Sequence, residues 1–317
     1  MTTDVQVKEQ VREFYDRVGW RTIGEGLYQN ARYEDLRPVS AEYLHRSHLR
    51  VGRYLAPAGN FLLDAGSGPI QYPEYLEYSA GFTYRVCLDL SLRALIEARE
   101  RLGARGLYVL GDVARLPFRE GCFAALVSMH TIHHLPPAEH ESAFRGLYRS
   151  LQPGGRAVVV HSWGARSGLM RLAAPLVLLS SALRRAARRL RPGEARVGPE
   201  RSQANGNGID RTTAAEERTA AERLVGQPGT FTFRHDYNWF RTRLFDLPGF
   251  EIRVWRAVSV EFLRSFVHPK LLGSRLLRLV SWLEERLPHW LGRHGQYPMI
   301  LFSKPAAGLR AGEGSGL

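Results

Sequence analysis

Between Asn60 and His161 the chain alternates short apolar runs with longer amphipathic ones, and this alternation confines it to a parallel sheet covered by helices. Phe61–Asp64, Tyr84–Asp89, Leu107–Leu110, Ala124–His130 and Arg156–His161 read as strands. Tyr72–Tyr78, Leu92–Leu102 and Glu139–Leu151 read as the intervening helices. Parallel neighbours require crossover connections, and helices in those crossovers cover both faces of the sheet. The expected fold is therefore α/β.

Two helices are expected before this block. In residues 4–18, Val7, Val11, Phe14, Tyr15 and Val18 share one face; residues 40–55 form the other, with Ser40 as N-cap and Pro57 past its end. After His161 the rhythm breaks. Leu169–Leu183 is apolar, but Arg171 and Pro175 interrupt it, and it is shorter than the roughly 20 residues that cross a bilayer. A basic run, RRAARRLR, follows. Residues 191–229, which include Asn205-Gly206-Asn207-Gly208, read as a flexible insert. Regular structure is expected again from about Phe231: a helix at Tyr237–Phe245, a strand at Glu251–Val258, a basic amphipathic stretch at Lys270–Leu287 and a last strand at Met299–Ser303.

Charge narrows the partners less than its size suggests. The formal net charge is +13 in 317 residues, but the excess lies after residue 163. Only Lys8, Lys270 and Lys304 are lysines, so the positive charge is almost all arginine. No nucleic-acid-binding motif accompanies it, which argues against a nucleic-acid partner. The two cysteines, Cys87 and Cys122, sit in apolar strand-like surroundings and read as buried free thiols of a reducing compartment. Met1–Gln10 has no apolar leader, so a cytoplasmic location is expected.

The first strand runs into Asp64-Ala65-Gly66-Ser67-Gly68, where glycines let the backbone turn sharply and approach a ligand. Alone this is weak. Asp89 ends the second strand, where a carboxylate can accept both hydroxyls of a ribose; it could equally cap the helix that follows. Asp112 and Val113 follow the third strand, where a carboxylate and a backbone N–H can read adenine. A Pro153-Gly154-Gly155 turn precedes the fifth.

Together these residues resemble the class I S-adenosylmethionine-dependent methyltransferases, particularly the small-molecule branch that includes ubiquinone and menaquinone biosynthesis enzymes. The resemblance covers about residues 40–163 and, less clearly, 231–305. It implies a Rossmann-like seven-stranded sheet with helices on both faces and helical substrate-cap insertions, with S-adenosylmethionine as cofactor and S-adenosylhomocysteine as product. Asp64, Gly66, Ser67 and Gly68 would hold the methionine end, Asp89 with Leu90 the ribose, and Asp112 with Val113 the adenine; Met129 and His130 are further cofactor-binding candidates. The chain departs from the family in having Pro69-Ile70-Gln71 where a third glycine often stands. Gln71 also fills the position of the last glycine of a nicotinamide-binding loop, which counts against a dehydrogenase.

The implied organisation is an N-terminal helical lid (1–55), a cofactor-binding core (56–163), a basic and partly flexible insert (164–229), the rest of the core with a helical cap (230–305) and a flexible tail (306–317). The fourth strand ends in His130-Thr131-Ile132-His133-His134-Leu135-Pro136, resembling the His-His-Leu-Pro of many small-molecule members. His133 or His134 could serve as general base, with His161 a secondary candidate expected to be buried and hydrogen-bonded. The spacing of the three histidines matches no usual metal site, so no metal is expected. Tyr15, Trp20 and Tyr28 resemble an aromatic lid, and Tyr237 is a further substrate-side candidate. The Leu-, Trp- and Arg-rich additions fit a helical cap, or a hydrophobic substrate taken at a membrane surface. A non-catalytic S-adenosylmethionine-binding module and a nucleotide-cofactor oxidoreductase remain as alternatives; oligomeric state is left open.

Overall fold

A computed structural model describes residues 4–23, 27–189, 231–269 and 272–306. Among these, seven strands form one sheet: β3 (Gly59–Ala65), β4 (Phe82–Asp89), β5 (Gly106–Leu110), β6 (Phe123–Met129), β7 (Leu151–Val160), β8 (Glu251–Arg256) and β9 (Tyr297–Ser303). Their order is β5-β4-β3-β6-β7-β9-β8, with β9 antiparallel to both of its neighbours and the other pairings parallel. A short hairpin, β1 (Thr22–Ile23) with β2 (Leu27–Tyr28), lies apart from it.

The apolar runs explain the layering. Side chains alternate across a strand, so neighbouring residues fall into opposite cores. Leu63, Leu126 and Val159 join one cluster with Phe144 and Leu147 of α4 (His140–Ser150) and Phe240 of α6 (Tyr237–Arg243). Leu62, Val127 and Val158 join another with Leu95 and Ala98 of α3 (Leu92–Leu102), Tyr75 and Trp255. From β3 the chain adds β4 and β5 on one side and then crosses to place β6 on the other. The crevice at the carboxyl ends of these strands is the switch point at which open α/β sheets bind ligands.

Helix α1 (Asp4–Phe14) runs into a π-helical turn, Tyr15–Gly19, and these lie over the crevice. Helix α2 (Pro38–Arg50) starts at Pro38, so Ser40 is not its N-cap; Ser40 Oγ instead donates to Asp35 Oδ2 at 2.6 Å. The apolar 169–183 stretch forms one continuous helix, α5 (Gly168–Arg189), with Pro175 inside it rather than at a break. Two more helices, α7 (Val260–Phe266) and α9 (Pro288–His294), were not expected, and flank the expected α8 (Gly273–Arg286). Beyond α5, the insert through residue 230 lies outside the described residues, as does the tail after 306.

A buried ion pair ties α8 to α2. Arg50 NH1 lies 2.9 Å from Glu284 Oε2, while Glu284 Oε1 accepts from Tyr43 Oη at 2.6 Å and from the Ala257 N–H at 2.7 Å. A charge buried this way is tolerated because nearly every lone pair has a donor.

Candidate functional site

The turn after β3 is fixed by its neighbours. Gly66 and Ser67 donate their N–H groups to Leu88 O at 2.7 and 3.2 Å, which hooks the turn onto β4. Gly66 has φ +76°, and a Cβ there would lie 2.2 Å from the Thr131 side chain. Thr131 Oγ1 in turn donates to Gly66 O at 3.2 Å. Gly68 has φ +54°, and a Cβ there would meet the Trp20 ring at 3.0 Å. Both glycines are therefore demanded by conformation and by close approach.

Three carboxylates stand along this edge. Asp64 is buried, and its Oδ2 accepts from Arg85 Nε at 3.1 Å and Arg85 NH2 at 2.5 Å; Arg85 NH1 donates to Tyr75 O. Burial raises the Asp64 carboxyl above its ordinary pKa, against the pull of the guanidinium. Asp89 accepts from the Gly68 N–H (2.8 Å) on Oδ2 and from the Ser91 N–H (2.9 Å) on Oδ1. Burial pushes its pKa to about 6, with those N–H bonds opposing and the charges of Asp64 and Asp16 adding. Ser91 is the N-cap of α3, accepting from the Ala94 N–H, so the capping role offered for Asp89 belongs to its neighbour. Asp112 Oδ1 accepts from the Ala114 N–H at 2.8 Å, and Oδ2 meets Lys8 Nζ at 2.5 Å. Lys8 also pairs with Glu139 at 2.5 Å, pinning α1 across this end of the cavity. Burial works against the Lys8 charge, but its two carboxylate partners outweigh it and leave its pKa raised.

At the other end stand the histidines. His130 follows β6 with φ +55°, a strained conformation for a residue with a side chain and one that recurs at functional sites. Its ring lies edge-on to Trp255 (5.0 Å) and Tyr297 (5.6 Å), and burial, helped by Arg256, lowers its pKa to about 3. His134 Nδ1 lies 2.8 Å from Phe231 O and Nε2 lies 2.9 Å from Tyr15 Oη. A carbonyl only accepts, so Nδ1 carries the proton and Nε2 accepts from the Tyr15 hydroxyl. Burial lowers the His134 pKa to about 4, so its imidazole is neutral near pH 7.

A single cavity joins these groups. Its wall includes Tyr15, Trp20, Asp64, Gly66, Ser67, Gly68, Asp89, Leu90, Val113, Met129, His130 and His134. Asp112 sits just behind Val113, reached through Lys8, which is on the wall. His133 and His161 are buried behind it, with ring centroids 5.6 Å apart. His161 packs on Trp163 and Phe240, and neither of its ring nitrogens has a hydrogen-bond partner among the described residues, contrary to the expected hydrogen-bonded role. Tyr15 and Trp20 stack at 5.1 Å as part of the cover, whereas Tyr28 lies behind Trp20. Tyr237 is also off the wall, under the Arg293 guanidinium at 4.8 Å.

Sequence reasoning missed Arg85, Lys8 and Thr131. For Arg85 a signal existed: an arginine inside the buried strand FTYRVCLD requires a carboxylate partner. Thr131 and Lys8 act through contacts no local pattern announces.

Comparison with known proteins agrees with this geometry. A family model described as a methyltransferase domain matches residues 63–159. The chain is 30% identical over 147 residues to the ubiquinone/menaquinone biosynthesis C-methyltransferase of Roseobacter denitrificans, covering 43% of this chain and 57% of that protein. It is 33% identical over 109 residues to the demethylmenaquinone methyltransferase of Thermus thermophilus, covering 33% and 49%. The chain thus spans about half the length of these relatives. Among solved structures, phosphoethanolamine N-methyltransferase 1 of Haemonchus contortus, crystallised with phosphoethanolamine and S-adenosylhomocysteine, superposes with a TM-score of 0.51 at 11% identity, covering 97% of this chain and 51% of that one. That likeness is one of fold. Residues 63–159 thus match a methyltransferase domain, and the cofactor of that domain is S-adenosylmethionine.

Proposed function

We propose that this chain, which carries a class I S-adenosylmethionine-dependent methyltransferase domain, moves a methyl group to an oxygen, nitrogen or carbon of a small hydrophobic molecule. The observation that carries this reading is one cavity with the Gly66–Gly68 turn, Asp64 and Asp89 on one side and the Tyr15–His134 pair on the other. The turn fits a cofactor approached through its backbone, since a Cβ at Gly66 would collide with Thr131.

In this reading Asp89 and Leu90 take the ribose, Val113 and the Lys8-held Asp112 the adenine, and Ser67, Gly68 and Asp64 the amino-acid end. Met129 and His130 border the place where the groups react. The bound cofactor supplies a methyl on a positively charged sulfur, which is displaced in line, so the protein's tasks are positioning and proton removal. Each oxygen of Asp89 accepts one backbone N–H and retains capacity for one hydroxyl. Neutral imidazoles spare the site further positive charge beside the sulfonium. His134 is the proton acceptor, working through Tyr15: the hydroxyl takes the acceptor's proton as its own passes to Nε2. With a pKa of about 4, His134 is a weak base, which suits an acceptor whose proton is acidic or loosens as the methyl arrives. His133 and His161 shape the apolar ground behind it.

The Tyr15–His134 pair favours catalysis over a module that merely binds the cofactor. The same reading places the chain in the cytoplasm, touching a membrane only at its periphery; among the described residues no helix is long and apolar enough to cross one.

The Tyr15→Phe variant tests the proton route. It keeps the stacked ring and removes the hydroxyl, so single-turnover methyl transfer should fall about 100-fold while S-adenosylhomocysteine affinity stays unchanged. With cofactor and acceptor saturating at every pH, the wild-type rate should be level through neutrality and decline only as pH approaches about 4. An inflection near the ordinary histidine value, about 6.5, would contradict the assignment.

A further inference from the structure

The outward face of α5 is apolar where solvent should meet polar side chains. A helix that is hydrophobic all round is normally buried in a core or in lipid. Helix α5 packs Leu169 and Met170 against the cluster of Tyr43, Leu263 and Leu291, yet leaves Leu172 80%, Leu176 59% and Leu179 57% exposed. These three leucines recur at spacings of four and three residues, so they form one stripe. The stripe is held firmly in place: Ser167 Oγ donates to His294 O at 3.1 Å, and the Ser259 N–H meets Met170 Sδ at 3.3 Å.

Charge says what could cover it. From Ser162 to Gly193 there is no Asp or Glu, and the arginines of the stretch include Arg171 within α5 and Arg184, Arg185, Arg188 and Arg189 in its last turns. The helix α8, which shares that apolar cluster through Leu276, Leu277 and Val280, leaves Arg275, Arg278 and Trp282 exposed, with the Arg286 guanidinium over the Trp282 ring at 5.7 Å. Exposed leucines on a helix whose sequence carries arginines and no acid match the boundary between anionic headgroups and acyl chains. The helix does not span a bilayer, so it would lie along the surface.

We propose that the outer face of α5, through Leu172, Leu176 and Leu179, docks the protein on an anionic lipid surface. This rests on the peripheral-membrane reading for its direction, and it does not depend on methyl transfer. It also assigns the contact to the packed helix that opens the basic insert, not to residues 191–229.

The test is flotation of the full-length protein with phosphatidylcholine vesicles and with vesicles that also contain phosphatidylglycerol. Three proteins are compared: wild type, Leu176→Asp/Leu179→Asp, and a deletion of 191–229. The expected result is binding to the anionic vesicles, weakened by salt, and about tenfold weaker in the double variant, with an unchanged melting temperature and unchanged S-adenosylhomocysteine affinity. The deletion should still bind. If the double variant floats like wild type while the deletion does not, the α5 assignment fails and the membrane reading survives. If wild type binds neither vesicle, both fail. If the double substitution turns a dimer into a monomer, the stripe is a self-association face and the lipid proposal is overturned.

Discussion

Replacing Asp89 by alanine should weaken S-adenosylhomocysteine binding by at least about 100-fold. Hydrogen bonds to a charged acceptor contribute about 1.5–3 kcal/mol each, and two ribose hydroxyls would be lost together. The variant also releases the N–H groups of Gly68 and Ser91 that Asp89 now holds, loosening the cofactor turn. Asp89→Asn separates the two effects, because it retains an acceptor oxygen near the turn but not the charge. Its affinity should fall between those of alanine and wild type. The charge also sets a pH dependence. Burial raises the Asp89 pKa to about 6, so below that pH the free protein holds the carboxyl protonated. Hydroxyl donors favour the ionised form, so binding releases a proton there. Wild-type affinity should climb with pH by up to about tenfold per unit until about pH 6, then level off. The Asp89→Asn profile should be flat. Calorimetric titration across this range reads both, and a flat wild-type profile would remove Asp89 from the ribose position.

The second large effect concerns stability. Arg85→Met leaves the buried Asp64 carboxylate without its guanidinium partner, and breaking a buried pair in this way costs about 3–5 kcal/mol. The loss should appear in chemical denaturation. Combining it with Asp64→Asn should restore much of the stability, since the uncompensated charge is gone, without restoring cofactor binding. A single variant as stable as wild type would mean the pair is solvated and Asp64 is not held for the site by Arg85.

The inner strands were legible because a strand covered on both faces reads as a nearly continuous apolar run, as Phe123–Met129 does. The α3 helix lies where its sequence places it, 92–102, because Ser91 caps one end and Gly103, with φ +55°, closes the other. Prolines misled in both directions. Pro38 and Pro288 each open a helix at its first turn, where the missing N–H costs nothing, yet a proline after an amphipathic run reads as a stop. Pro175 reads as a break but is carried inside α5, on its solvent-facing side. In the site, the glycines and acids were readable because a backbone-lined cofactor turn leaves few residue choices. Their partners were not, because Arg85 stands 21 residues from Asp64, Lys8 stands 104 from Asp112 and Tyr15 stands 119 from His134. Such pairings are fixed by tertiary packing. Tyr28 and Tyr237 failed for the same reason: aromatic residues near a site also build its support.

The most direct measurement is transfer of an isotopically labelled methyl group from S-adenosylmethionine into the small molecules of a cell extract, resolved by chromatography and mass spectrometry. Wild-type protein should place label in a discrete small-molecule product with stoichiometric S-adenosylhomocysteine, and Asp89→Ala should not. Tight S-adenosylhomocysteine binding with no labelled product in either the polar or the lipid fraction would contradict a methyltransferase and leave a cofactor-binding module.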